Sequence, residues 1–269
     1  MASFDIFTVN VFNLKHVSYR TCVLLANSLY KFDSNNNNIN LKCVTRIKTT
    51  PPTMWNKAGE IYTMMGEHAS KVVSDGFDLC LNQMISDYVI FCHSDTVILH
   101  KNWDNIIIEL LEKYKMVGVP YFNGVWGFCP SPIFCCAKKE TWRSMSMSFS
   151  AKIKNNRIVQ KSLNEQESKV LNHPVGTRIK FDVGWQIPFK LNELGYNCHV
   201  FPTVVSDLFF KKEERCRHIG GRLIPRKIST EWAHNGNLFL AHFQGIRMGK
   251  DLTLTWIDRV RNFLDGNSN

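Results

Sequence analysis

The run Tyr88-Val89-Ile90-Phe91-Cys92 constrains the fold more than any other stretch of this chain. It is short, continuous and apolar, the pattern of a strand buried on both faces. A polar turn, His93-Ser94-Asp95, follows at once. Beyond it Trp103, Ile106, Ile107, Leu110, Leu111 and Tyr114 recur at helical spacing as one apolar stripe, with Asn102 placed as an N-cap. Residues 116–120 then read as another strand. A doubly covered strand, a helix and a further strand in that order belong to a parallel sheet with helical crossovers.

The upstream sequence repeats the alternation. Residues 4–12 are rich in β-formers, 19–32 have helical composition, and 33–38 are a polar loop with Asn35, Asn36, Asn37 and Asn38 in a row. Residues 41–47 form a second strand stopped by Pro51 and Pro52, and 69–85 a helix with Gly76 inside it. The expected class is α/β with a mainly parallel central sheet. The second half is less regular. Residues 121–132 are a shaped loop, 144–161 carry no period, 185–194 form a short helix closed by Gly195, His199-Val200-Phe201 is a strand, and 256–264 a terminal helix. With no repeat and no linker, a single domain over 1–269 is expected.

Composition narrows the class. At 44% hydrophobic and 12% aromatic, the 269 residues hold enough apolar material for a large core and do not resemble a disordered chain. The 9 cysteines are scattered, form no CxxC pair and mostly sit in apolar runs. They read as reduced, buried thiols, as in a cytoplasmic protein. The N-terminus lacks the basic and apolar regions of a signal peptide. No stretch approaches the ~18 apolar residues of a membrane span, which leaves peripheral membrane contact open. A net charge of +10 calls for an anionic partner: a nucleotide diphosphate, a nucleic acid or an acidic membrane surface. The basic residues are densest over 211–227, where a solvated charged loop is the plainer reading.

In open α/β sheets, ligands bind outside the carboxyl ends of the strands. Asp95 stands at such an end, two positions after a histidine, where a carboxylate holds a hard divalent cation through oxygen. The plainer alternative is a helix-capping aspartate after a chance His-x-Asp.

The segment Ser74-Asp75-Gly76-Phe77-Asp78, Asn82 and Ser86 through Thr96 resembles the donor-site region of family-two-type GT-A glycosyltransferases. His93 stands where the first Asp of a DxD-type motif is usual, and Asp95 at the metal-binding Asp. Val9-Asn10-Val11-Phe12-Asn13 is similar to the N-terminal strand whose exit borders the nucleotide. Asp182-Val183-Gly184-Trp185 resembles the segment with the catalytic carboxylate, and Leu240-Ala241-His242-Phe243-Gln244-Gly245 the closing His-containing strand. The resemblance covers about residues 4–249.

The resemblance implies a Rossmann-like three-layer GT-A fold, with a nucleotide-sugar-binding half (1–120) and an acceptor-binding, catalytic half (121–269). It implies metal-dependent, inverting transfer of a sugar from a nucleotide-diphosphate-sugar donor to a hydroxyl of a glycan or other acceptor. Asp95 and His242 would hold Mn2+ or Mg2+, the imidazole tilting the choice toward manganese. Val11, Asn13, Thr45, Asp75, His93, Ser94 and Arg247 would line the donor site, with Lys250 a second cation for the phosphates. Asp182 would be the general base. The chain departs from the family pattern at His93, and in having a lone Asp182 where an acidic pair is usual.

Plainer roles stand beside these. His242 reads equally as a core histidine, Asp182 as the cap of a helix beginning near Trp185, Trp126 as a structural aromatic rather than a sugar contact, and His68 and Asp75 as surface or capping residues rather than nucleotide contacts. Two other functions compete. A nucleotidyltransferase favours a Gly-rich basic loop after the first strand, where this chain has Asn13-Leu14-Lys15-His16. A non-catalytic module binding nucleic acid or glycan expects clustered basic and aromatic residues, which are not evident, so no nucleic-acid partner is expected.

Overall fold

A computed structural model of the chain describes residues 1–10, 19–45, 58–63, 69–120, 129–155, 157–211, 214, 216–219, 222–225, 228–243 and 250–266. The first half runs β1 (Ser3–Asn10), α1 (Tyr19–Lys31), β2 (Asn38–Thr45), β3 (Ala58–Thr63), α2 (Ala69–Leu81), β4 (Tyr88–His93), β5 (Thr96–Ile98), α3 (Trp103–Lys113) and β6 (Met116–Gly118). It continues with β7 (Phe134–Lys138), α4 (Lys139–Met145), β8 (Ile153–Lys154), β9 (Arg157–Ile158), β10 (Gln160–Ser162), α5 (Glu165–Leu171), β11 (Arg178–Lys180) and α6 (Ile187–Glu193). The last part is β12 (Cys198–Val200), β13 (Thr203–Val204), β14 (Cys216–Ile219), β15 (Arg222–Pro225), β16 (Ser229–His234), β17 (Asn237–Phe243) and α7 (Lys250–Leu264).

The central sheet has 7 strands in the order β12-β6-β7-β4-β1-β2-β3. Only β7 runs against the others, pairing antiparallel with both β4 and β6. The mainly parallel α/β sheet read from the alternating pattern is therefore the observed one. Its strands are apolar on both sides because both sides are covered. Phe4 and Ile6 of β1, with Ile90 and Cys92 of β4, face a core that includes Leu25, Trp103 and Trp256. Phe7, Val9, Val89 and Phe91 face the opposite core, with Val72, Phe77, Trp142 and Ile187. The period of two inside an unbroken apolar run is what a buried parallel strand requires.

A second sheet, ordered β13-β16-β17-β5, is antiparallel. β4 and β5 are separated only by Ser94 and Asp95, so the chain crosses from one sheet into the other at that turn. The phenyl rings of Phe201 and Phe239 stack at 4.1 Å where the two sheets meet.

Several boundaries differ from the expected ones, each for a tertiary reason. The helix expected over 69–85 ends at Leu81. The buried Asp5 carboxylate accepts hydrogen bonds from the Ile85 and Ser86 amides, at 2.7 and 2.9 Å, and this draws the following residues into a turn. Asn102 precedes α3, but it adopts a left-handed conformation (φ 56°) and its side chain makes no capping bond. α6 begins at Ile187 behind Gln186, not near Trp185, and Gly195 beyond it takes the positive φ of 62° expected of a helix-closing glycine. α7 begins six residues before the expected terminal helix, at Lys250 rather than 256. Residues 144–161, which have no period, are organised by contacts: Asp78 accepts hydrogen bonds from Ser148, Phe149 and Ser150. The segment then continues into β8 and β9.

The cysteines whose side chains are described, all but Cys216, behave as the apolar contexts imply. Cys22, Cys43, Cys80, Cys92, Cys135 and Cys136 are buried, Cys129 and Cys198 half-buried, and all of these are free thiols. Burial pushes the Cys80 thiol up to about 12 and those of Cys135 and Cys136 well above the usual thiol range, so they stay protonated and inert. Among the described residues no helix is long and apolar enough to cross a membrane.

Candidate active site

The β4–β5 turn builds the site. β4 delivers His93 at its carboxyl end, and the His93 amide is held by the Ile133 carbonyl at 3.0 Å. Asp95 lies at the entry to β5, where its carbonyl accepts the Phe243 amide at 3.0 Å. The same β5–β17 ladder sets His242 opposite Thr96. Two residues separated only by Ser94 are thereby brought to a third that lies 149 positions from His93.

The donor atoms converge. His242 Nε2 lies 3.1 Å from Asp95 Oδ1 and 3.3 Å from His93 Nδ1, and ligand atoms of all three residues lie within 4.8 Å of one another. The side chains of His242 and Asp95 keep only 8% and 16% of their exposure, a narrow opening to solvent. The Nδ1 atom of His242 is buried with no hydrogen-bond partner among the described residues, so contacts through Nε2 alone orient that ring in this cluster.

Electrostatics follow from this packing. Burial, reinforced by the neighbouring His242 charge, holds His93 down to about 4, while Asp95 and Asp182 act in the opposite sense. Burial pushes Asp95 up, but the charge and hydrogen bond of His242, with help from His93, leave it below the usual carboxylate range. At neutral pH the site is thus an ionised carboxylate facing a neutral His93 imidazole. One carboxylate oxygen and two imidazole nitrogens converging in a desolvated pocket are the donor chemistry of a divalent-cation site.

Asp182 approaches the same cluster from the other half of the chain. Its charge acts on His93. Its Oδ1 accepts the Val183 amide at 2.8 Å and its carbonyl the Trp185 amide at 3.1 Å, a tight turn whose third residue, Gly184, has φ 69°. Because α6 starts at Ile187, Asp182 does not cap it. Beside this turn the Lys152 ammonium sits over the rings of Phe181 and Trp185, at 4.5 and 4.3 Å from their centroids.

The other residues singled out in the sequence are placed variously. Ser94 is buried in the turn between His93 and Asp95. Thr45 is the last residue of β2, paired with Asn10. Asp75 lies on α2 in an ion pair with Lys71 at 2.6 Å, an ordinary i,i+4 helix-surface pair. Val11, Asn13, His68, Trp126 and Arg247 lie outside the described residues, as does most of the basic stretch 211–227; Lys250 is the first residue of α7. One polar residue at this edge was not singled out. Asn10 is buried at the end of β1, one step beyond the Val9–His93 pair. Its signal was an amide breaking an apolar strand.

No protein-family model matches the sequence, and no curated protein matches it. Among solved structures it is similar to the mannosyltransferase PcManGT from Pyrobaculum calidifontis in complex with GDP-Man and Mn2+. That match has 9% identity over 74% of this chain and 54% of that one, with a TM-score of 0.47. It is similar to the glycosyltransferase GlyE of Streptococcus pneumoniae at 10% identity, over 74% and 45% of the two chains, with a TM-score of 0.41. S. aureus TarS 1–349 in complex with UDP-GlcNAc gives 18% identity over 44% and 34%, with a TM-score of 0.31. The chain thus spans 54% of the length of the mannosyltransferase. Scores at this level carry no weight for activity.

Proposed function

We propose that the protein is a metal-dependent glycosyltransferase of the family-two GT-A type, moving a sugar from a nucleotide-diphosphate donor to an acceptor hydroxyl with inversion. The observation that supports this most is the convergence of Asp95 and His242 at the carboxyl edge of a parallel sheet, with Asp182 close enough for its charge to reach the cluster. Asp95 and His242 would hold Mn2+ or Mg2+, and such a cation would supply Lewis-acid stabilisation of a departing diphosphate, worth several kcal/mol.

The chain's own residues carry the rest. Asp182 takes the proton from the acceptor hydroxyl, and the turn through Gly184 aims its carboxylate. Ser94 and His93, with Val11, Asn13 and Thr45, form the donor side, and Arg247 and Lys250 balance the phosphates; Asp75, paired with Lys71 on α2, is left out of it. The first half of the chain binds the nucleotide-sugar and the second half the acceptor. The burial of the cluster keeps water from competing for the sugar.

A panel of UDP-, GDP- and dTDP-sugars tested by thermal shift, with and without Mn2+, examines this reading. The expected result is stabilisation by at least one nucleotide-sugar that requires the metal and disappears in Asp95→Ala. Absence of any metal-dependent stabilisation across the panel overturns it.

A further inference from the structure

We propose that the β8–β9 hairpin is an anion-binding groove for an acidic glycan, one that bears phosphate or carboxylate groups along its chain. The inference rests on the transferase reading above and deepens it by giving the acceptor a charge.

Residues 151–164 carry Lys152, Lys154, Arg157 and Lys161 and no aspartate or glutamate. Lys161 is paired with Glu167 at 2.5 Å. Lys154 and Arg157 are exposed and form no ion pair among the described residues. The register sets Lys154 directly opposite Arg157, and residues opposed in an antiparallel pair project to one face of the ribbon. A groove of about 470 Å3 opens there, lined by Lys154, Asn155, Arg157, Ile158 and Val159. It joins a guanidinium and an ammonium, which hold phosphate or carboxylate oxygens, to two apolar side chains that suit the C–H face of a sugar ring.

The hairpin is tied to the Asp182 turn. The Lys152 amide donates to the Phe181 carbonyl at 2.9 Å, and the Lys152 ammonium lies over the Phe181 and Trp185 rings on either side of that turn. Lys154 follows two residues later on the same face, about 7 Å along the strand. Cations thus continue from the edge of the Asp182 turn to the hairpin tip, and an acceptor whose hydroxyl meets Asp182 lays its neighbouring anionic groups over them. A membrane surface is met by clusters of about 4–8 cations. Lys154 and Arg157, with Lys152 beside them, match a single chain of spaced charges instead.

The test is biolayer interferometry of the purified full chain on immobilised dextran, dextran phosphate and carboxymethyl-dextran, which share one backbone and differ in charge. Wild type is compared with Lys154→Gln/Arg157→Gln and with Lys101→Gln/Lys113→Gln. The second pair removes the same charge around α3, which packs on the other face of the central sheet. Wild type is expected to bind at least one charged dextran, to ignore the neutral one and to let go as salt is raised. The preferred polymer tells phosphate from carboxylate. Each charged hydrogen bond lost costs about tenfold, so the hairpin variant should weaken binding roughly 10–100-fold. The α3 variant should change it less than ~3-fold, because distant surface charges are screened. Circular dichroism checks that both variants fold. No binding of either charged dextran, equal binding of the neutral one, or equal losses in the two variants overturns the inference. So does tighter binding of duplex DNA or phosphatidylserine vesicles through the same two residues. Thermal stabilisation by nucleotide-sugars with Mn2+ is read on the same wild-type protein. If it is absent while the hairpin still binds a charged dextran, the transferase reading falls and the groove stands. If it is present while the hairpin variant binds like wild type, the groove falls and the transferase reading stands.

Discussion

Replacing Gly184 by alanine should destabilise the protein by about 2–5 kcal/mol, and the structure separates the cost into two parts. Gly184 has φ +69°, and an added Cβ would lie 2.5 Å from Pro132 Cγ, 3.2 Å from Pro132 Cδ and 3.3 Å from Ile187 Cδ1. The left-handed backbone alone costs a β-carbon about 1–2 kcal/mol. Forcing a methyl against a proline ring that cannot rotate away adds about 1–3 kcal/mol of overpacking. Gly195 supplies the internal control: its φ is +62°, but a Cβ there meets nothing within 4 Å. Gly195→Ala should therefore cost only the backbone share. At about 2–4 °C per kcal/mol for a chain near this size, Gly184→Ala should lower the melting temperature by roughly 4–20 °C. Differential scanning calorimetry of the two variants beside wild type measures both numbers. Equal losses in the two variants would show that the Pro132 contact is absent, and a Gly184→Ala protein within ~0.5 kcal/mol of wild type would refute the reasoning altogether.

Asp182→Asn should leave the unfolding midpoint unchanged, because Asp182 caps no helix, while lowering sugar transfer by about 10²–10⁴, the usual loss of a general base. Near-normal turnover, once an acceptor is in hand, sends the base assignment elsewhere. Trp142→Ala should cost about 3–5 kcal/mol by urea titration, since its ring is buried against Phe91 and Phe149 and its indole N–H donates to the Val89 carbonyl at 3.1 Å. Stability should also fall in acid. Burial lowers the pKa of His199 and of His234, with His100 adding to the effect on His234 and Glu109 opposing it. Unfolded histidine titrates near about pH 6.5. The unfolded chain thus binds more protons below that value, and the stability held by these neutral rings is complete above it and lost as pH falls toward their folded pKa. Melting temperature against pH should drop less steeply below about 6.5 in a His199→Gln/His234→Gln variant; an unchanged slope removes these two rings from the account.

Much of the architecture was legible in the sequence because it depends on local periodicity. The unbroken apolar run 88–92, the helical stripe from Trp103 to Tyr114 and the strand after it are dictated by which faces must be buried, and the central sheet has them in that role. The buried thiols were legible for the same reason: cysteines embedded in apolar strands have nowhere else to go. Boundaries were not. Whether a helix stops at residue 81 or 85 depends on a buried carboxylate at Asp5, 80 positions from Ile85, claiming two amides. Asn102 has the composition of a cap and the wrong backbone for one, a choice made by its amide bonding to the Phe32 carbonyl.

For the site, the sequence by itself determined that a carboxylate and an imidazole would stand at the carboxyl end of a buried strand, because strand polarity and the turn residues are local facts. It marked His242 and Asp182 as suspects without being able to join them. Only the tertiary structure decided that β5 leaves the first sheet to pair with β17, which puts His242 beside Asp95 and turns His93 Nδ1 into the same pocket. The physical reason is that antiparallel register between distant strands is fixed by the packing of their faces. Neither strand carries that information alone, so convergence of donor atoms cannot be read from either one.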